Sequence, residues 1–177
     1  TVNDVRIGNF GGTGELKVIN GAKLTARSII GGTKYGSGPL GLGNILVDGV
    51  GSTIVGLNQV NNGSISIING GTADALHSFT YIGVDSGTSA TATVSGPGST
   101  WSNIDALFVG GVYHTDTTGH GVLNVLGGGS VAANSITIGE HSSTTGEVQV
   151  SGSNSTLVTS GIGKVGTRGH GSLSVSD

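Results

Sequence analysis

The chain has 177 residues, enough for one domain with its own core, yet only 10% are charged and the net charge is −3. Its seven cations (Arg6, Lys17, Lys23, Arg27, Lys34, Lys164 and Arg168) are scattered, which excludes the basic footprint of a nucleic-acid or anionic-membrane binder. Cysteine is absent, which excludes a disulfide framework and zinc-finger chemistry, and no apolar run approaches the ~20 residues of a membrane helix.

The 36 glycines, about a fifth of the chain and roughly three times ordinary usage, would suggest disorder. Apolar residues nevertheless make up 34% and recur at regular intervals. Glycine and β-branched residues disfavour helix, and no i, i+3, i+4 stripe appears. Short strands separated by tight turns are expected throughout.

Taken in chain order, the elements repeat. Ile7-Gly8 is an aliphatic-Gly landmark; Leu16/Val18 is an alternating apolar pair, the mark of a strand with one buried face. A turn at Asn20-Gly21 leads to Leu24, and Ile30-Gly31 is the next landmark. A long loop, 31–44, carries Tyr35, Pro39, Leu40 and Leu42. Ile45/Val47, Asp48-Gly49 and Ile54 repeat the order, with Val60-Asn61 as a degenerate landmark. Ile65/Ile67, Asn69-Gly70, Ala73 and Ile82-Gly83 follow, then Ala92/Val94, Trp101 and Val109-Gly110. A second long loop, 110–121, holds Tyr113, His114, Asp116 and His120. Leu123/Val125, Val131 and Ile138-Gly139 precede Val148/Val150, Ser151-Gly152, Leu157, Val165-Gly166 and finally Leu173/Val175.

The landmarks recur about every 26 residues, three short strands per unit, roughly six and a half times. Each unit cannot bury its own apolar face and must stack on its neighbours at ~4.8 Å per rung. The fold class expected is therefore all-β, a right-handed parallel β-helix of about six to seven coils, one domain over 1–177. Starting at Thr1 and ending just past a strand-like stretch, the chain reads as a fragment of something longer. A β-sandwich also alternates strands and turns, but would not repeat the same columns at one period. One column, Leu24, Ile54, Ala73, Trp101, Val131 and Leu157, should line the interior. Trp101 is thus expected inside rather than as a surface platform, with Ala73 beneath it leaving room for the indole.

The segment Val94-Ser95-Gly96-Pro97-Gly98-Ser99-Thr100-Trp101-Ser102-Asn103, with Leu107-Phe108-Val109-Gly110, resembles one half of a repeat shared by autotransporter (type V secretion) passengers and some PEP-CTERM proteins. Residues 121–132 are similar to the other half, and weaker copies run through 14–25, 51–55 and 151–158. Ile54 in place of the Trp and Asn61 in place of the Gly leave the register of 45–80 open. The resemblance implies a secreted passenger at the bacterial cell surface or outside the cell, exported through an outer-membrane barrel beyond this segment. It further implies adhesion, self-association or biofilm formation, with a host-cell glycan or protein, or another copy of the chain, as partner. A dedicated ligand of one host receptor is the alternative.

Polysaccharide-degrading enzymes share such a fold but need clustered carboxylates. Asp4, Asp48, Asp74, Asp85, Asp105 and Asp116 fall at different phases of the repeat and read as solvated or turn-capping residues. His120 and His170 both sit in Gly-His-Gly, two rungs or ~10 Å apart, too far to share a metal. His114 and His141 lie in neighbouring loops with no carboxylate fixed beside them, and all four read as exposed turn residues. No enzyme activity, cofactor or metal is expected. Function then falls to the flat faces and to the two long loops, where Tyr35, Leu40, Leu42, Tyr113, His114 and Asp116 are the candidate partner-binding residues.

Overall fold

In a computed structural model, which describes residues 2–33, 38–76, 79–102, 105–112 and 118–177, the chain is a parallel β-solenoid. The first face stacks seven strands: Thr13–Ile19, Leu42–Asp48, Gly63–Ile68, Ser89–Ser95, His120–Leu126, Thr145–Ser151 and His170–Ser176. They define six complete turns, which we number by their first strand, coil 1 opening at Thr13 and coil 7 at His170. The second face comprises Thr72–Asp74, Thr100–Ser102, Ser130–Ala133 and Thr156–Thr159; the third, Val2–Asn9, Phe79–Ile82, Ala106–Val109, Ser135–Ile138 and Gly163–Val165. In the first two coils a single strand (Lys23–Thr33, then Thr53–Val60) runs through both faces.

Alternation along each strand sends one set of side chains inside, and parallel pairing stacks them into columns. Leu16, Ile45, Ile65, Ala92, Leu123, Val148 and Leu173 are successive register partners; Val18, Val47, Ile67, Val94, Val125, Val150 and Val175 form the column beside them. The second face contributes Leu24, Ile54, Ala73, Trp101, Val131 and Leu157, in that order. Trp101, Ile54, Ala73 and Val131 are completely buried, whereas Leu24 and Leu157 near the two ends are half-buried. The register of 45–80 is now defined: Ile45 pairs with Ile65, Ile54 with Ala73 and Val60 with Ile82.

One landmark is displaced by a residue. Gly31, not Ile30, stands in line with Ile7 below and Val60 above, while Ile30 pairs with Arg6 and Gln59 on the outer side. The pairing shifts register between Thr25 and Ile30, at the bend from second to third face. Such an irregularity changes which of two adjacent apolar residues points inward, and it is Ile29 that is buried. The true landmark of that coil is Gly31-Gly32, and Gly32, at φ 64°, shares the left-handed conformation of Gly8, Gly83, Gly110, Gly139 and Gly166, whose φ values run from 61° to 68°. Glycine is required here on two counts. At Gly110, φ is 68°, and a Cβ would lie 2.1 Å from the carbonyl oxygen of Thr145, the residue that opens coil 6.

The corners between first and second faces are of two kinds, and they alternate strictly. Coils 1, 3 and 5 turn through Asn20-Gly21, Asn69-Gly70 and Gly127-Gly128, both residues at positive φ, the conformation of a tight type I′ turn. Coils 2, 4 and 6 use a longer turn that ends in a serine: Ser52, Ser99 and Ser155. Each serine hydroxyl donates to a carbonyl of its own turn (Asp48, Ser95 or Ser151, 2.6–2.7 Å) and accepts the N–H of Gly21, Gly70 or Gly128 in the coil before, at 3.0 Å. The corner from the third face back to the first alternates too over coils 3–6. Thr88 and Thr144 close four-residue turns in coils 3 and 5, and Gly-His-Gly stands at that corner after coils 4 and 6. The structural repeat is therefore a pair of coils. That pairing accounts for His120 and His170 lying in one ladder with Thr145 between them.

Candidate functional site

The candidate site forms on the outside of the third face. Its strands are only four residues long, and alternation turns Phe79 and Tyr81, then Ala106 and Phe108, then Ser135 and Thr137, outward in successive coils. Tyr81 and Phe108 are register partners; their rings stack at 5.5 Å and 25°, close to the rung spacing. Phe79 meets Phe108 edge-on at 6.0 Å, an arrangement favoured by the ring quadrupoles. Val84 packs under the cluster, leaving Phe108 almost buried and Phe79 46% exposed. Burial pushes the Tyr81 phenol above its ordinary pKa.

In the next coils the outward column changes from aromatic to Thr137 and then Lys164. The loss of side-chain bulk opens a groove of about 380 Å³ beside Phe79, floored by Ala106, Phe108 and Thr137. Asp105 and Asn134 enter it from the corner before the strands, and their side chains are hydrogen-bonded at 3.3 Å. Glu140 enters from the corner after them; Ile162 and Lys164 form the far edge.

Glu140 is the unusual member. It follows Gly139 as Val84 follows Gly83 one coil pair earlier, so a carboxylate stands where the sister coil places an apolar residue. It is 2% exposed, and its Oε2 is buried with no hydrogen-bond partner. No ion pair links it to Lys164. An unpaired buried carboxylate oxygen is costly, and its presence calls for an explanation.

The long loops are joined at a different corner. Leu40 is half-buried, and a methyl group added to Gly87 would lie 3.9 Å from its Cδ1. The Gly87 N–H donates to Thr118 Oγ1 at 3.0 Å. The turn after coil 3 thus connects the two loops, because coil 2 turns this corner with only Asn61 and Asn62 between its strands. Asn61 is buried, accepting from Gln59 and donating to Asp85, both at 2.6 Å. Leu42 is not a loop residue: it opens the strand Leu42–Asp48 and pairs with Thr13. Tyr35, Tyr113, His114 and Asp116 lie outside the described residues.

The reading of the histidines needs correction at His141, which is 4% exposed, with its N–H donating to Thr144 Oγ1. The tight turn closed by Thr144 folds it inward. His120 is half-buried, with Nε2 3.4 Å from the carboxylate of Glu147, its first-face neighbour. Among the described residues, no three His, Cys, Asp or Glu side chains are placed to hold a metal.

The groove residues Phe79, Phe108, Asp105 and Glu140 were not picked out as a site by their spacing. The six aspartates fall at different phases of the repeat, but Asp105 shares one groove with Glu140 of the adjacent coil, a carboxylate that the phase argument does not cover. Aligning adjacent coils on the aliphatic-Gly landmark places Tyr81 and Phe108 at one outward phase, and aligning coils two at a time places Glu140 in the position of Val84. Comparisons with protein-family models, with curated proteins and with solved structures find no match.

Proposed function

We propose that this chain is a non-enzymatic binding module: the passenger of an autotransporter-type protein, acting outside the cell or at the bacterial surface in adhesion, self-association or biofilm formation. The resemblance of 94–110 and 121–132 to the two halves of a passenger repeat motivates the secretion route. The observation that carries the binding function is the third-face groove, lined by exposed Phe79 and by the buried Glu140, whose Oε2 has no hydrogen-bond partner. Aromatic surface with a few convergent polar groups is the usual composition of a recognition site. The partner under this reading is a host-cell glycan or protein, or a second copy of the chain.

A ligand for one host receptor is the second reading, favoured by the corner where Leu40, Gly87 and Thr118 bring three loops into one surface. Enzymatic degradation of polysaccharide ranks third. Asp105 and Glu140 enter from opposite ends of the four-residue strands, which suits two ends of a binding site better than a pair acting on one bond.

The test is display of the chain on a non-adherent bacterium by fusion to an outer-membrane barrel. Faster settling, or attachment to epithelial cells above that of the barrel alone, is expected. Neither effect, together with capture of a single receptor by the purified chain, would favour the second reading; neither effect and no capture would overturn both.

A further inference from the structure

We propose that the third-face groove binds a neutral hexopyranose unit of a glycan, with the sugar's C–H face on Phe79 and the edge of Phe108 and a hydroxyl donating to the Glu140 carboxylate. The assignment deepens the adhesive reading and rests on it for biological context, but its chemistry stands on the groove alone.

Four observations lead there. The volume, about 380 Å³, lies at the lower end of small-ligand sites. The exposed flank of Phe79 beside Phe108 and Ala106 is an apolar platform at the cavity wall. Pyranose rings present such platforms with C–H groups on one face and hydroxyls around the edge.

Thirdly, Glu140 Oε2 is an acceptor with nothing to accept. Its coil-pair sister Val84 shows that the position tolerates an apolar side chain, so the fold itself does not demand the carboxylate. A ligand hydroxyl would remove the desolvation penalty, and a charge-assisted hydrogen bond of this kind is among the stronger ones. A metal ion would do so as well, but no cluster of three ligating side chains exists among the described residues.

The fourth is charge. Two carboxylates, Asp105 and Glu140, face one ammonium, Lys164, in a chain of net charge −3. Uronic and sialic acids are disfavoured by like-charge repulsion, whereas neutral hexoses are not. At the opposite end, Asp105 and Asn134 offer acceptors and donors for a second sugar hydroxyl.

The purified chain is applied to a printed array of neutral and acidic glycans, and the strongest neutral oligosaccharide is then titrated calorimetrically. Saturable binding of at least one neutral glycan is expected, weakened at least tenfold by Phe79→Ser and by Glu140→Gln. Phe79 is about half exposed, and Phe108 keeps Tyr81 and Val84 against it, so F79S should remain folded with only a modest fall in melting temperature even if E140Q does not. Absence of binding, binding confined to acidic glycans, or unchanged affinity in F79S would overturn the assignment. Displayed on cells, F79S separates the two readings. Adhesion that survives the substitution leaves the passenger function standing and removes the groove from it. Glycan binding without adhesion does the reverse.

Discussion

Trp101 stacks directly on Ala73: the two are register partners in adjacent coils, and both are completely buried. A large ring above the smallest side chain of its column is how an irregular repeat keeps its interior filled. The indole Nε1 has no hydrogen-bond partner, so the ring serves here as volume.

Trp101→Ala should therefore cost roughly 3–5 kcal/mol. Trp101→Phe should cost less than half as much, since it keeps most of the ring and removes the unpaired donor. Urea denaturation of the two variants measures this, and the parent emission should be blue-shifted and poorly quenched by iodide. Equal losses in both variants would mean that the N–H is bonded in solution.

The coil that carries the indole also turns Ala90 and Ala92 inward on its first face, where neighbouring coils place Ile65 and Leu123 in the Ala92 column. Ala92→Leu should then overpack that layer and cost about 1–3 kcal/mol. The same substitution combined with Trp101→Leu should recover part of the loss. A strictly additive double-mutant cycle would refute the shared volume.

Ser99 is buried and ties two coils together through one hydroxyl. Ser99→Ala leaves the Gly70 N–H without its acceptor and should cost about 1–3 kcal/mol. Exposed Ser153, in the equivalent turn two coils on, should lose under about 0.5 kcal/mol on the same change. Comparable denaturation midpoints for the two variants would remove the clamp from the account.

Tyr81 makes stability depend on alkaline pH. Its phenol has a raised pKa when folded, from burial, so the folded state resists ionisation. The stabilising effect is complete below the ordinary tyrosine pKa of about 10 and is lost as pH rises through the folded value. Tyr81→Phe should flatten the alkaline decline while leaving neutral-pH behaviour close to the parent. Identical pH slopes for both proteins would exclude this role.

The columns were legible because two features with long reach wrote them into the sequence. Alternation in six- or seven-residue strands marks the first face, and the aliphatic-Gly landmark requires both a left-handed turn and a close backbone approach, which leaves glycine little competition. The slip at Ile30 was not legible: Ile29 and Ile30 are followed by two glycines, and only the bulged pairing decides which isoleucine turns inward. Nor was the groove. The strand Ala106–Val109 is apolar at all four positions, so alternation cannot show which residues face out. Ala106 and Phe108 do, and are covered by Phe79, Tyr81 and Val84 rather than by the core. His141 was misplaced because a hydroxyl-closed turn, not a propensity, folds it inward.

The alternating corners also set the increments in which such a molecule can grow. A serine corner needs a glycine corner before it, so a gene rearrangement that adds or drops one coil puts two like corners in succession and costs a clamp. One that moves a coil pair leaves every junction matched. Excision of 63–120 joins coil 2 to coil 5 in phase and should give a shorter, cooperatively folding solenoid. Excision of 90–120 alone joins coil 3 to coil 5 and should fold less stably despite removing fewer residues. The architecture thus favours growth by coil pairs, and a lineage that shortens or extends the solenoid should do so by about fifty residues at a time.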